Sequence, residues 1–321
     1  MKTAMTVLLV TTLGLLWPAL PASQERVSEA VLAVLRRDGI VTPFAAFNGR
    51  RWTARWPVEL RNIDLPISLE HVPGRWWGVD VAPRSMTIWQ DGVRGGTVTI
   101  TGVTTTRLMC EPRIALKSDY TPAATAPPPF EVPYPKDGLL VAGSLPVEKI
   151  RTVERGSLEW NRALIVLTSE FNRQETAAAR SFSSWVHPFP EQQRRARPIT
   201  IESLYAAPTR DAGWMSYYVE AVREYPPAPA DRDGCGLATF ASGWILIGPR
   251  GETRDRISAK VAYCDRKGVS YLLPFGLIRA NGHHYWVYQY SGFEEEWYEV
   301  AEPTHRGIDA QVAYRAGVCG I

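Results

Sequence analysis

"HHYWVYQY", residues 283–290, carries an aromatic or imidazole group at nearly every position. Successive residues of a strand face opposite sides. His284, Trp286, Tyr288 and Tyr290 therefore share one face, and His283, Tyr285, Val287 and Gln289 the other. One core cannot take both sets. Either the strand is central, sandwiched between two layers and buried on both sides, or one set stays exposed as a platform of flat rings with polar edges. We carry forward burial for the strand. The exposed alternative makes Trp52, Trp76, Trp77, Tyr285, Trp286 and Tyr288 the candidate ligand-binding residues, for a glycan, a peptide or a protein partner.

Just before this stretch, "PFGLIRANGHHYW" (274–286) repeats the wording of "PFAAFNGRRW" (43–52). Asn-Gly suits both central positions of a type I′ turn, where φ is positive. Each phrase thus predicts a hairpin, with Trp52, Ala54 and Trp56 on one face of its second run in the earlier copy. The echo fits two related β domains, a closed propeller-like array in which the chain ends meet, or a chance resemblance in a chain rich in Pro, Gly, Trp and Phe.

The same grammar recurs along the chain. "SMTIW" before Asp91-Gly92, "GTVTITGV", "GLLVAGSL", "ALIVLTSEF", "SYYVEAV", "GWILIG", "KVAYC" and "VSYLLPFGLI" are short runs of β-branched and aromatic residues, punctuated by turn formers. The expected fold is mainly β, built of antiparallel hairpins and meanders. Two segments read as helix. Val27, Val31, Val34 and Leu35 fall on one helical face, with Arg36 and Arg37 at the C-terminal dipole end and Gly39 as the left-handed cap, which predicts a short N-terminal helix over 24–37. Ser169 to Phe182 is the other.

Ahead of these lies "MKTAMTVLLVTTLGLLWPALPASQ", with one lysine, an apolar run from Val7 to Trp17, and small residues at Ala22 and Ser23. This is the form of a secretory signal peptide, here residues 1–22, and the run is too short to span a bilayer. The chain is expected to be exported, secreted or periplasmic, without a membrane span after cleavage. A proline-rich stretch, 121–138, suits a linker or surface loop because proline lacks the amide donor of a central strand. It would separate an N-terminal β-rich region, 23–120, from a C-terminal β-rich domain, 139–321.

Removal of the leader takes away Lys2, and the formal charge falls from +3 to +2. Nothing in that balance draws the chain to nucleic acid. The most basic stretch, "EQQRRARP" (191–198), reads as a solvated loop between prolines. Four cysteines in an oxidising compartment predict disulfides. Cys235 with Cys264 is the favoured pairing, which leaves Cys110 with Cys319 to tie a remote segment to the C-terminus.

Chemistry is sparsely signalled. Nucleophile elbows, zinc helices and phosphate loops are missing from the sequence, and neither metal nor cofactor is expected. "DRDG" (231–234) opens like a calcium loop but lacks the later ligands. For catalysis the candidates are His283 and His284, as bases among aromatics, and Glu294 and Glu295 of "SGFEEEWYEV", as carboxylates for glycoside hydrolysis. The bland reading makes the histidines hydrogen-bonded packing residues and the glutamate run, with Glu296, a solvated turn. Binding of a glycan, peptide or envelope partner is the leading functional expectation. A secreted hydrolase of polysaccharide or peptide, and a structural component of a cell-envelope assembly, are the alternatives.

Overall fold

The computed structural model describes residues 29–58, 67–128, 134–180, 187–226, 236–263, 266, 268–292 and 294–319. The expected signal peptide, Cys235, Cys264 and the "DRDG" acids lie outside the described residues.

The chain is mainly β and antiparallel. It begins with β1 (Ala30–Arg36), β2 (Ile40–Phe47) and the two-residue β3 (Trp52–Thr53). A one-turn helix, α1 (Gly74–Trp77), leads to β4 (Ser85–Gln90), β5 (Val93–Leu108), β6 (Glu111–Ser118) and β7 (Lys136–Ala142). These strands pair in the order β1-β7-β4-β5-β6-β2-β3, and β1 also pairs with β2. The sheet therefore closes into a six-stranded barrel, with β3 appended to β2. The proline-rich stretch connects β6 to β7, and both strands belong to this barrel.

Residues 30–36 are thus a strand, which corrects the expected N-terminal helix. "AVLAVLR" is buried at every position and bonded to a neighbour on each edge. A continuous apolar run satisfies helical and extended patterns alike. Two partner strands decide it. Arg36, expected at a helix end, is buried in the barrel, where it donates to Asp38, Thr106 and the Arg107 carbonyl and stacks 3.8 Å above the Tyr134 ring. Gly39 does take a left-handed φ of 79°, but in the β1–β2 turn.

Two further sheets follow. One contains β8 (Val147–Glu148), and the other contains β9 (Arg151–Thr152). After the helices α2 (Leu158–Arg180) and α3 (Glu191–Arg195) come β10 (Thr200–Pro208), β11 (Met215–Glu224), β12 (Leu237–Ile247) and β13 (Thr253–Tyr263). The chain ends with β14 (Tyr271–Ala280), β15 (His283–Ser291), β16 (Glu295–Thr304) and β17 (Gly307–Val318). The sheet orders are β13-β12-β11-β10-β9 and β17-β16-β15-β14-β8.

The second of these is the middle layer. Its Tyr285, Val287, Tyr298 and Tyr314 enter a core shared with the barrel, among Leu32, Phe44 and Trp52. Its Trp286, Tyr288 and Ala301 enter another, against Tyr218 and Trp244 of the third sheet. The far face of the third sheet is covered by α2, through Ala163, Leu167 and Phe171. The stack runs barrel, middle sheet, third sheet, helix, rather than as a radial array. "ALIVLTSEF", expected as a strand, is part of α2, because Ala163, Leu167, Phe171 and Glu175 recur every four residues and are all buried.

The two echoing phrases meet in this stack. Asn281 Nδ2 donates to the Gly49 carbonyl at 2.9 Å, and Trp52 packs edge-on against Tyr285 with centroids 5.6 Å apart. Their turns differ. Asn281 and Gly282 both have positive φ, as do Asp91 and Gly92, which is the type I′ pattern. In the earlier hairpin Asn48 N–H donates to the Arg51 carbonyl, so Gly49 and Arg50 are the central pair, and Gly49 has positive φ while Arg50 does not. That is the φ pattern of a type II′ turn. Asn48 instead accepts the Arg50 and Arg51 amides on its side chain.

"EQQRR" is the short helix α3, not a loop, and Arg194 is buried. Glu175 of α2 accepts from Arg194 Nε at 3.3 Å, from Arg223 Nη1 at 2.8 Å and from the Tyr225 hydroxyl. A disulfide joins Cys110, at the β5–β6 turn, to Cys319 after β17, as expected. Among the described residues no helix is long and apolar enough to cross a membrane.

Two stability outcomes follow from this packing. Trp286 is fully buried and donates its indole N–H to Ser216 Oγ at 2.9 Å. Trp286→Ala should cost about 3–5 kcal/mol in urea unfolding, whereas Ile165→Ala, at a position 72% exposed, should shift stability by about 0.5 kcal/mol or less. The Cys110–Cys319 bridge closes a loop of 209 residues. Its replacement by serines should lower stability by up to about 5 kcal/mol on chain-entropy grounds.

Candidate functional site

The third sheet does not cover the whole outer face of the middle one. Between β12–β13 and β15–β17 lies a cleft of about 760 Å³. Its floor comes from the alternation of β15 and β16. Tyr288 and Tyr290 project from β15, and Glu295, Trp297 and Glu299 from β16. The last three share a face at two-residue intervals, roughly 6.6 Å apart along the strand. Opposite them stand Trp244 and Ser242 of β12 and Arg256 and Ser258 of β13. β12 comes close to β13 here because residue 243 is glycine. Its φ is 152°, and a Cβ there would sit 2.1 Å from the Arg256 carbonyl oxygen.

The carboxylates differ in setting. Glu299 accepts the Tyr288 hydroxyl at 2.7 Å. Burial raises its pKa above the ordinary carboxyl range, against that hydrogen bond. Glu295 is exposed at the rim, held by Ser270 Oγ at 3.3 Å and Trp297 Nε1 at 3.5 Å. Burial, with Glu299 and Tyr290 nearby, drives the Tyr288 phenol well above its usual range, so it stays a donor. Glu220 of β11, in the third sheet, accepts the Leu272 amide at 2.6 Å and so ties that sheet to the middle one. Burial pushes its pKa up to about 7, although the Leu272 amide opposes the shift.

The residues named from sequence are scattered. Trp52, Trp77, Tyr285 and Trp286 are buried core residues. Trp76 is half-buried against Trp56, with centroids 5.7 Å apart. Tyr288 is also buried but lines the cleft. Glu295 lines it too, whereas the Glu294 carbonyl takes the Cys319 amide at the chain end. Glu296, expected in a solvated turn, is buried and paired with Lys136 at 2.5 Å.

His283 and His284 sit at the other end of β15. Ser291 pairs with Glu296, so His283 is roughly 26 Å along the strand from the glutamate run. His283 Nδ1 lies 2.9 Å from Glu302 Oε1 and 2.8 Å from Arg210 Nη1, and its ring stacks on Tyr285. His284 Nδ1 is 3.2 Å from the Pro208 carbonyl. The histidines and the glutamate run do not form one site. Among the described residues no group of three His, Cys, Asp or Glu is placed to hold a metal ion.

Glu299, Glu220, Trp244 and Trp297 were not singled out from sequence. "EEWYEV" held the signal, because on a strand it puts Glu295, Trp297 and Glu299 on one face and Glu296, Tyr298 and Val300 on the other. The chain matches no protein family, no curated protein and no solved structure with which it was compared.

Glu220 makes the stability of the fold depend on pH. Its carboxyl pKa is raised on folding from an ordinary 4.5 to about 7. The associated stability is present below pH 4.5 and is lost as pH rises through 7, a change of about 3 kcal/mol. Urea titrations at pH 4.5 and 8 should show this loss, and Glu220→Gln should remove most of it while keeping an acceptor for the Leu272 amide.

Proposed function

We propose that the chain is an exported binding protein whose cleft takes a segment of glycan. The observation that carries this reading is the row Glu295, Trp297, Glu299 on one strand face. An indole flanked by carboxylates presents an apolar plane for the C–H face of a sugar ring and acceptors for its hydroxyls. Arg256, Ser242 and Ser258 on the opposite wall add donors. A cleft of about 760 Å³ holds several sugar units' worth of contact and falls in the usual size range of ligand sites. Export is supported by the leader-like N-terminus and by the Cys110–Cys319 disulfide.

One observation favours a second reading, a hydrolase. Glu299 is a carboxyl with a raised pKa on the same strand face as the exposed Glu295, two intervals away across Trp297, and such a contrast is the kind that separates an acid from a nucleophile or base.

Calorimetry against a panel of soluble and envelope-derived saccharides tests both. Binding is expected, with Trp297→Ala weakening it by about tenfold or more, equivalent to about 1.4 kcal/mol. Trp76→Ala, at a ring outside the cleft, should leave affinity unchanged. Release of reducing ends that Glu299→Gln abolishes would move the assignment to hydrolysis. Capture of a peptide or envelope protein with no saccharide binding, or saccharide binding indifferent to Trp297, would overturn the glycan reading.

A further inference from the structure

The opposite face of the middle sheet carries, at β14 and β15, a second, smaller pocket of about 260 Å³ that faces the barrel. Its walls are the rings of Trp89 from β4, Tyr134 just before β7 and Phe275 from β14. Leu273 lines it too and is 47% exposed, one of the large apolar side chains left open to solvent among the described residues. Gln289 and Lys136, with Gln90 and Asp91 of the β4–β5 turn, supply its polar groups.

Gln289 is the informative residue. It continues the row Tyr285, Val287 that faces the barrel, yet where those side chains are apolar it buries an amide, 1% exposed. Its Nε2 donates to Glu296 Oε2 at 3.2 Å, and the same oxygen takes Lys136 Nζ at 2.5 Å. The Tyr298 hydroxyl donates to the other oxygen of Glu296. The carboxylate fixes which way the amide lies, since reversal would set two acceptors against each other. Gln289 Oε1 is left buried without a hydrogen-bond partner. A buried acceptor without a donor is unfavourable, and a few placed polar groups among apolar walls are the usual make-up of a small-molecule site.

We propose that this pocket binds a small aromatic molecule carrying an N–H or O–H donor. The ring lies among Trp89, Tyr134 and Phe275, and the donor reaches Gln289 Oε1. The Lys136 charge is matched by Glu296 and the lining also holds the Asp91 carboxylate, so the pocket does not select for an anionic group. The site lies on the far side of the middle sheet from the cleft and stands independently of what the cleft binds.

Titration of the full chain with indole, and with N-methylindole as the donorless comparator, tests it by NMR on isotope-labelled protein. Indole should shift the Gln289 side-chain amide and the Trp89 indole resonances, and N-methylindole should bind at least about fivefold more weakly. Gln289→Leu should bring the two affinities together, and Trp89→Ala should weaken both. If removal of a donor to Glu296 unfolds the first variant, the wild-type ratio and the Trp89 variant still decide. Trp297→Ala should leave indole binding unchanged. Lack of indole-induced shifts at these residues up to its solubility limit, or equal affinity for both probes, would overturn the proposal.

Discussion

A sheet with apolar side chains on both faces must be covered twice, and the middle sheet of this protein imposes that requirement on everything around it. Along β15, Tyr285 and Val287 go one way and Trp286 and Tyr288 the other. The barrel covers the first face and the third sheet the second. The third sheet then has its own apolar far side, which α2 covers. Layer order thus follows from the strand period and from the need to bury each apolar face against another element. The two proposed sites lie where the covers stop short. Neighbouring residues feed opposite sites: Tyr288 and Tyr290 line the cleft and Gln289 the small pocket, while Glu295 faces the cleft and Glu296 lies beneath the pocket.

Polar groups inside the stack act at its seams. Glu220 reaches from the third sheet to the Leu272 amide of the middle one, and Glu296 joins the middle sheet to Lys136 of the barrel. Glu175 gathers Arg194 and Arg223, binding α2 and α3 to β11. Buried pairs of this kind add little net stability over apolar packing. Removal of one partner from the Glu296–Lys136 or Glu175–Arg223 pair, however, strands a buried charge, whereas Glu220 takes a neutral backbone amide.

Much of the fold is legible in local sequence. Asn281-Gly282 and Asp91-Gly92 mark their turns because so few residues tolerate two consecutive positive φ values. The crowding of aromatics in 283–290 points to a strand buried on both sides. The helical pattern at 24–37 misleads because β1 is apolar throughout, and its identity depends on β2 and β7, the latter about a hundred residues away. Barrel closure rests on that long-range pairing, and the contact between the two echoing turns spans 232 residues. In the cleft, Glu295 and Tyr288 are recognisable as candidates, but Glu299 reads as one more charge on an alternating strand. Its significance comes from Tyr288, its cross-strand partner on β15, and from Trp244, which the third sheet brings to the cleft.

Hydroxyl-radical footprinting of the folded chain, read tryptophan by tryptophan by mass spectrometry, tests the double-covered middle sheet most directly. Trp286 and Trp297 lie on adjacent strands, one sealed between layers and the other open to the cleft. Oxidation at Trp297 with protection of Trp286 is the predicted result. Comparable oxidation at both would mean that the third sheet does not cover the middle one, and would contradict the layered arrangement.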